Sequence, residues 1–333
     1  MDAEVAEFWR QVVPRWSLGE LLFFVAERRI ADAIGDGASI AEVARATGTH
    51  PVSLHRVLRV LAVQGIFTEL GDDRYGPSAL SAPLLSDHPE SQRAYIALGH
   101  LVMNPAWQAL AGTMETGKPA FDLAFGASSF EYMKDHPAMA SAFAEGMSAT
   151  TRRIEAALIE ADPFGAFSKL VDVGGSFGSL ARLLLTHQPE ATGIVFDRPE
   201  IAARAEQNWK DDPVASRLSA VGGNFFEAVP AGGDLYLIKQ ILHDWDDEQA
   251  IAILRCIRAA VTRESRLAVV EYVLPEEPVP HSGWMYDMLM MTVTGGRERS
   301  ASAYRRLLEK SGFEVTQVCP TRSPASVINA EPV

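Results

Sequence analysis

Five short apolar runs in the second half of the chain each end in, or lead into, residues that could do chemistry. The first leads into the glycine-rich segment GGSFG at 174–178, and the next two lead into Asp197 and into Asn224. The fourth leads into His243, and Glu271 stands toward the end of the fifth. In an open α/β sheet, ligands bind beyond the carboxyl ends of the parallel strands. If these runs are such strands, the sequence predicts a site at that edge.

The segment at 174–178 favours a cofactor that carries a nucleoside without phosphates. Its glycines permit a tight turn into a helix and a close approach of a ligand to the backbone. Asp197 follows Gly174 by 23 residues, near the roughly 20-residue offset at which an acid meets ribose hydroxyls. The G-x-G-x-x-G spacing of NAD sites and the G-x-x-x-x-G-K-[ST] phosphate loop are both absent. These features indicate S-adenosylmethionine, although a tight glycine turn can also serve packing alone.

His243 is the residue best placed to act as a general base. It stands at a predicted strand end, next to the acidic start of a helix. A neutral imidazole with an ordinary pKa of about 6.5 could accept the proton of a phenol as the oxygen becomes nucleophilic. We expect Asp244 or a neighbouring glutamate to fix the tautomer of the ring. The alternative is a solvent-facing loop histidine.

Three aspartates beside His243 could instead bind Mg²⁺ and orient an acceptor. These are Asp244, Asp246 and Asp247. Helix capping explains the last two more simply, and the sequence contains neither an H-E-x-x-H motif nor paired cysteines. We therefore expect no metal.

The elements that must position these residues form an α/β unit, because short apolar runs alternate with helical segments. The predicted strands are 169–173, 192–196, 217–221, 234–239 and 266–273. The predicted helices lie near 178–187, 199–210, 246–262 and 300–311. The segments GFEVTQVC and SVINAE can then close the sheet as an antiparallel hairpin. Residues 101 to 165 read as mostly helical, with aromatic and methionine side chains that could pack or cover a flat ligand.

The first hundred residues predict a helical unit that ends in a small β-wing. Helical spacing runs through 18–34, then through 39–48 with Ser39 as a cap, then through 51–65, which Pro51 opens. A strand, a turn and a second strand follow around 71–73. This is a winged-helix pattern, and many winged helices bind DNA. Residues 1–100 carry a net charge of −4, however, and DNA affinity depends largely on Lys and Arg that neutralise phosphates.

The composition argues against nucleic acid and membrane partners. The chain has 333 residues, 30 Lys and Arg against 43 Asp and Glu, and a net charge of −13, so polyanions should be repelled. The uncharged stretch from Ala94 to Met114 is long enough to span a bilayer, but it holds polar residues and a proline, which indicate buried helices. The N-terminus has no pattern of a signal peptide, and two cysteines cannot form a disulfide framework. We expect a cytoplasmic enzyme.

Several ordered stretches resemble one family, the class I S-adenosylmethionine-dependent small-molecule O-methyltransferases with an N-terminal winged-helix dimerisation domain. They are LVDVGGSFGSLARLLL, GIVFDRPEIAARA, GGNFFEAVPAGGDLYLIKQILHDWDDEQAIAILR, EYVLPE and GGRERSASAYRRLLEKSGFEV. The resemblance runs from about residue 15 to the C-terminus, and the LHDWDD segment carries it most specifically. Plant caffeate and flavonoid methyltransferases and bacterial antibiotic-tailoring enzymes belong to this family.

The resemblance implies an architecture and an activity. Residues 1–100 would form the winged-helix dimerisation domain, and residues 101–333 a helical pocket segment plus a Rossmann-like, doubly wound cofactor domain with an antiparallel C-terminal hairpin. The protein would be a homodimer of secondary metabolism. It would methylate a hydroxyl, phenolic in our expectation, of an aromatic or polyketide-type small molecule and release S-adenosylhomocysteine.

The resemblance also implies roles for individual residues. Those at the cofactor would be Gly174, Gly175, Asp197, Arg198, Asn224, Phe225 and Lys239. The catalytic group would be His243 as the base with Asp244, Glu271 and Glu298, the two glutamates flanking the ring and holding its orientation. Those near the acceptor would be Trp107, Phe143, Met147, Asp287, Met288 and Met290.

Three positions depart from the family pattern. Ser176 replaces the middle glycine of the loop, Arg198 replaces a leucine after the ribose acid, and Asn224 replaces an aspartate. The amide of Asn224 keeps an acceptor oxygen but loses the charge. These departures leave open a second hypothesis, in which the protein binds the cofactor but catalyses a hydroxylation, a decarboxylation or a pericyclic step. A winged-helix transcriptional regulator is the remote alternative.

Overall fold

A computed structural model describes residues 2–12 and 15–333 of the chain. Its internal contacts define two compact units. The first comprises the residues up to Ala111 and Phe121–Arg152, and the second comprises Gly112–Ala120 and Arg153–Val333. The domain boundary that the sequence predicts after residue 100 stays a prediction.

The described part of the first unit is mainly helical and carries a small antiparallel sheet. Its helices, of which α8, α9 and α11 are shared with the second unit, are α1 (Ala3–Val12), α2 (Arg15–Glu27), α3 (Ile30–Ile34), α4 (Ile40–Thr47), α5 (Pro51–Val63), α6 (Arg93–Leu98), α7 (Asn104–Gln108), α8 (Leu110–Thr116), α9 (Ala120–Phe125), α10 (Ser129–Asp135) and α11 (Pro137–Ala161). Its strands are β1 (Ala38–Ser39), β2 (Thr68–Gly71) and β3 (Arg74–Gly76), in the order β1-β3-β2. The winged-helix pattern is confirmed.

Local sequence signals account for the ends of these elements. Ser39 caps α4 in a capping box with Glu42, as its position predicts. Asp72 and Asp73 take positive φ angles of 50° and 54°, the conformation that a two-residue turn between β2 and β3 requires. The helix predicted over 18–34 is wrong in its continuity, because Arg29 adopts φ 53° and separates α2 from α3.

The second unit is built on one mixed sheet, and the predicted fold class is confirmed. Its elements are β4 (Lys169–Val173), α12 (Ser179–His187), β5 (Thr192–Asp197), α13 (Pro199–Trp209), β6 (Leu218–Gly222), β7 (Leu235–Lys239), α14 (Asp247–Ala260), β8 (Arg266–Leu274), α15 (Gly283–Val293), β9 (Arg299–Ser300), α16 (Ala301–Lys310), β10 (Phe313–Pro320) and β11 (Ala325–Pro332). The strand order is β10-β11-β8-β7-β4-β5-β6, with β9 beside the end of β8. Strands β4 to β8 pair in parallel, and β10 and β11 form the antiparallel hairpin.

Apolar clusters cover both faces of this sheet. In β4, Leu170 belongs to the cluster that includes α12 and α13, while Val171 and Val173 belong to the cluster that includes α14 and α16. A parallel strand buried on both faces reads as an almost continuous apolar run, which is why sequence located these strands. Asp172 interrupts the run with a carboxyl group that is 3% exposed.

The uncharged stretch from Ala94 to Met114 is divided among several short helices, as its polar residues indicate. It contains most of α6, a π-helical turn (Gly99–Met103), α7 and much of α8. Among the residues described, no helix has the length and apolar character needed to cross a bilayer.

Candidate active site

His243 lies in a single 3₁₀ turn, Leu242–Asp244, beyond the carboxyl end of β7. The turn is followed by α14, which Asp246 caps by accepting a hydrogen bond from the amide of Gln249 at 2.8 Å. The side chain of His243 is 9% exposed, and its Nδ1 lies 2.8 Å from Oε1 of Glu298. Because an ionised carboxylate can only accept, this bond keeps a proton on Nδ1. The tautomer is thus fixed by Glu298.

The other ring nitrogen is left available. Nε2 of His243 makes no hydrogen bond with any residue that the structure describes, and its nearest acidic atom, Oδ1 of Asp244, is 3.8 Å away. That separation is too long for a hydrogen bond. When the ring is neutral, the lone pair therefore resides on Nε2 and can accept a proton.

Glu271 acts mainly on the backbone of the turn rather than on the ring. Its Oε1 accepts hydrogen bonds from the amides of Ile241 at 3.1 Å and Leu242 at 2.8 Å. Its Oε2 is 3.6 Å from Nδ1 of His243, beyond hydrogen-bond range. The two expected roles therefore divide: Glu298 orients the ring, and Glu271 holds the turn that carries it.

These buried acids change the protonation of His243. Burial alone would lower the pKa of the imidazole, but Glu271, Asp244 and Glu298 together outweigh burial and raise it well above its ordinary value. Burial raises the pKa of Glu271, and it raises that of Asp244 to about 6, while His243 opposes both shifts. The expectation of an ordinary imidazole pKa is wrong, because the three carboxyls beside the ring raise its pKa more than burial lowers it.

The same cluster could ligate a cation. Ligand atoms of His243, Glu271 and Glu298 lie within 4.8 Å of one another. Oε2 of each glutamate is buried without a hydrogen-bond partner among the described residues. Of the aspartates considered for Mg²⁺, Asp246 caps α14 and Asp247 binds Arg299. The absence of a metal stays a prediction.

The glycine-rich loop follows β4 at the same edge of the sheet. Gly174 has φ 72°, and a Cβ on it would lie 2.6 Å from Cδ1 of Ile241, so this position requires glycine. That hypothetical Cβ would also be 3.9 Å from the ring of Phe225. Ser176 adopts φ 52° with an exposed side chain, although a left-handed conformation costs a non-glycine residue about 1 kcal/mol. The serine occupies a backbone conformation suited to the glycine it replaces.

Asp197 ends β5 beside this loop. Its Oδ2 accepts from the amide of Ser176 at 2.8 Å, and its Oδ1 accepts from the amide of Arg198 at 2.7 Å. Burial raises the pKa of this carboxyl, and the two amides partly offset that rise. Each oxygen retains a free lone pair direction, which suits a pair of hydroxyl donors.

The remaining predicted cofactor residues differ in what they contact. Arg198 forms an exposed ion pair with Glu200 at 3.4 Å. The Asn224 side chain is used within its own turn, where it donates to Glu227 at 2.9 Å and accepts from the amide of Phe226 at 3.0 Å. Gly175 is close to Asp172, the Phe225 ring lies 6.2 Å from that of Trp245, and Lys239 ends β7.

The predicted acceptor residues fall in both units. Asp287 lies in α15, where its Oδ1 accepts from the amide of Glu298 at 2.9 Å, so it supports a residue of the His243 cluster. Met288 and Met290 are half-buried on the same helix. Trp107, Phe143 and Met147 are half-buried in α7 and α11 of the first unit. A role for these six in acceptor binding stays a prediction.

Asp172 and Arg299, two of the buried charged residues, were not singled out from the sequence. Asp172 lies under the glycine loop, and burial raises its pKa to about 7, partly offset by Lys239. A charged residue inside an otherwise apolar strand was the available signal. Arg299, which directly follows Glu298, is 3% exposed and contacts the His243 turn. Its place in the GGRERS segment gave no sign of burial.

A glycine turn, a strand-end acid and a buried His–Glu pair thus line the carboxyl edge of one parallel sheet. The fold is that of the α/β methyltransferases. A family model of the O-methyltransferase domain matches residues 107–314, and a model of the O-methyltransferase dimerisation domain matches residues 17–87. The chain therefore belongs to the O-methyltransferase family, and it is an enzyme.

Relatives and a solved structure agree with this assignment. The chain is 36% identical over 324 residues to the phenazine O-methyltransferase of Lysobacter antibioticus, covering 97% of this chain and 95% of that one. It is 37% identical over 322 residues to the O-demethylpuromycin-O-methyltransferase of Streptomyces alboniger, covering 94% and 86%. An O-methyltransferase from neocarzinostatin biosynthesis, solved with S-adenosylmethionine and 2-hydroxy-5-methyl naphthoic acid, matches with a TM-score of 0.82 at 31% identity, covering 95% and 96%.

Proposed function

We propose that this protein transfers a methyl group from S-adenosylmethionine to a hydroxyl of an aromatic small molecule of secondary metabolism, with His243 as the general base. The observation that carries the proposal is the His243 ring, whose Nδ1 is tied to Glu298 while Nε2 has no hydrogen-bond partner among the described residues. The named acceptors of the relatives, a phenazine and a naphthoic acid, support an aromatic acceptor.

The cofactor would bind at the glycine loop and Asp197. Gly174 makes room for the side chain of Ile241 and allows the tight turn of the loop, and the methionine part of the cofactor would lie beside the backbone of that turn. Both carboxylate oxygens of Asp197 are held by backbone amides, and their spare acceptor capacity would take hydrogen bonds from two ribose hydroxyls. When bound, the sulfonium supplies a methyl carbon whose bond to sulfur breaks as the acceptor oxygen bonds to it, which leaves S-adenosylhomocysteine.

The chain then has two tasks. Holding acceptor and cofactor in line can supply about 7 to 11 kcal/mol, whereas proton removal contributes about 10²- to 10⁴-fold in rate. Nε2 of His243 takes the acceptor proton as the oxygen attacks. The raised pKa of this imidazole brings it closer to the pKa of about 10 of a phenol, so the neutral ring is a stronger base, while a smaller fraction of the rings is neutral at neutral pH.

A homodimer completes the proposal. Residues 17–87 match a dimerisation domain. Within that range, α5 exposes Val60 by 47% and Val63 by 84%, and we choose these two valines to test the dimer contact. Light scattering at micromolar concentration should give twice the chain mass, and Val60→Asp with Val63→Asp should lower it. Val279→Asp, on a residue 49% exposed in the second unit, is the control. A wild-type monomer would contradict this part.

The activity is tested with S-adenosylmethionine and a panel of hydroxylated phenazines and naphthoates. Mass spectrometry should find a methyl ether and S-adenosylhomocysteine in equal amounts. We expect His243→Ala to bind the cofactor and to lose about 10²- to 10⁴-fold in kcat. His187→Ala, at an exposed residue near the end of α12, is the matched control. A product formed without S-adenosylhomocysteine would indicate non-methylating chemistry, and an unchanged rate for His243→Ala would remove the ring from the mechanism.

A further inference from the structure

Arg299 is a buried guanidinium that makes no contact with the His243 ring but holds the backbone around it. Its side chain is 2% exposed. NH1 donates to the carbonyl of Leu242 at 2.9 Å, and NH2 donates to the carbonyl of Trp245 at 2.8 Å. These two carbonyls lie on either side of His243 and Asp244 along the chain.

A carboxylate at the start of α14 anchors the guanidinium. Oδ1 of Asp247 accepts from Nε of Arg299 at 3.0 Å and from NH2 at 2.9 Å. NH1 also lies 3.3 Å from the carbonyl of Arg297. The side chain therefore joins the turn, the following helix and its own segment through one planar group, as the rigid fork of arginine donors allows.

The residues just before Arg299 hold the same turn. The amide of Arg297 donates to the carbonyl of His243 at 2.8 Å. Gly296 lies so close that a Cβ on it would be 1.9 Å from that carbonyl oxygen. Glu298 binds the ring itself. Four consecutive residues, 296–299, thus fix the backbone and the imidazole together.

We propose that Arg299 is a positioning residue for His243, which fixes the carbonyls of Leu242 and Trp245 so that Nε2 meets the acceptor hydroxyl. This inference rests on the proposed function, in which His243 is the base. A lysine cannot replace Arg299, because its three donors share one nitrogen. That nitrogen cannot reach the carbonyls of residues 242 and 245 and the carboxylate of Asp247 together.

A second arginine provides a matched control. Arg266, the first residue of β8, donates to the carbonyls of Phe164 at 2.7 Å and Ala166 at 2.6 Å. It holds backbone in the same way, but at the amino end of the strand, away from the catalytic edge. A structural role alone would make the two arginines equivalent in their effects.

The test compares Arg299→Lys with Arg266→Lys in kcat, in Kd for S-adenosylhomocysteine and in Tm. We expect Arg299→Lys to lose about 10- to 100-fold in kcat, because a displacement near 1 Å can cost about 10²-fold. Its Kd for S-adenosylhomocysteine should stay within about twofold, because the cofactor contacts lie elsewhere. Arg266→Lys should lower Tm without changing kcat. An unchanged kcat for Arg299→Lys overturns the inference, as does an equal loss of kcat in both variants.

A double mutant separates this inference from the function on which it rests. If Arg299 acts through His243, the variant His243→Ala with Arg299→Lys should be no slower than His243→Ala alone. A double mutant whose loss of kcat equals the product of the two single losses overturns the positioning role. Full activity of His243→Ala contradicts the proposed base instead.

If Arg299→Lys fails to fold, Asp247→Ala tests the positioning role in its place. The Asp247 carboxylate is 56% exposed, and its loss frees the guanidinium of Arg299. We expect a fall of roughly 3- to 10-fold in kcat, and an unchanged kcat overturns the inference.

Discussion

The two halves of the candidate site are built differently. The His243 turn is buried, and charged side chains hold its amides, its carbonyls and its ring: Glu271, Glu298 and Arg299. The glycine loop is more exposed, and Asp197 beside it is held by two local backbone amides. The His243 turn is thus fixed by the side chains of the chain itself, while Asp197 keeps unused acceptor capacity.

This difference follows from the cost of burying charge. A buried charge is tolerated when its partners are present, and removal of one partner leaves the other uncompensated. Substitutions in the His243 turn should therefore have larger effects than substitutions in the glycine loop, and these effects should appear in kcat. Changes in the glycine loop should appear mainly in cofactor affinity.

Among the changes that keep the His243 side chain, the largest effect is expected for Gly296→Ala. A Cβ at this position would lie 1.9 Å from the carbonyl oxygen of His243, so the turn or the 296–299 segment must move. We expect a loss of about 10²-fold or more in kcat, with about 1 to 3 kcal/mol lost from the free energy of unfolding. Steady-state kinetics and urea unfolding measure both. Gly19→Ala, where a Cβ meets no atom within 4 Å and φ is not left-handed, controls for the added methyl group without a clash. Normal turnover in Gly296→Ala would show that the turn adapts.

The second largest effect is expected for Asp197→Asn, as a loss of affinity for S-adenosylhomocysteine. Hydrogen bonds to a charged group contribute about 1.5 to 3 kcal/mol, so the Kd for S-adenosylhomocysteine should rise about 10- to 100-fold by calorimetry. Asp234→Asn is the matched control, because that carboxylate also accepts from two amides, Ser168 at 2.7 Å and Lys169 at 2.8 Å, at the start of β7. Equal affinity in the two variants would remove Asp197 from the cofactor site.

A smaller, pH-dependent effect is expected for Glu298→Gln. The acid form of His243 cannot accept a proton, so activity should rise with pH as the raised pKa of the ring is passed. Removing the charge of Glu298 lowers that pKa, because one of the groups that raise it is lost. The rising limb of kcat should move to lower pH by about 1 unit, with the plateau roughly tenfold lower. Glu309→Gln, at an exposed residue of α16, should leave the profile unchanged. An unmoved limb would mean that another group controls the profile.

The smallest effect is expected for Ser176→Gly. The left-handed backbone at φ 52° favours glycine by about 1 kcal/mol, but glycine also gains a similar entropy in the unfolded chain. The free energy of unfolding should change by less than about 1 kcal/mol. The Kd for S-adenosylhomocysteine should stay within about twofold. A larger loss would show that the hydroxyl of Ser176 has a function of its own.

The sequence located the sheet and the edge that carries the candidate site because their signals are local. Buried parallel strands are short apolar runs, and the residues that follow them meet at one edge whatever the loops do. Gly174, Asp197 and His243 could be placed by that rule alone. The division of labour between Glu271 and Glu298 could not, because a difference of about 1 Å decides which oxygen reaches the ring.

The sequence by itself predicted the strands of the sheet and most of its helices, although not α15, together with the glycine turn, the acid that ends β5 and the histidine after β7, since each is marked by the residue types of its own segment. Tertiary structure alone decided the raised pKa of His243, because Glu271 and Glu298 lie 28 and 55 residues further along the chain. It also decided the burial of Arg299. Electrostatic interactions weaken with the distance in space between two groups, and the number of residues between them along the chain does not give that distance.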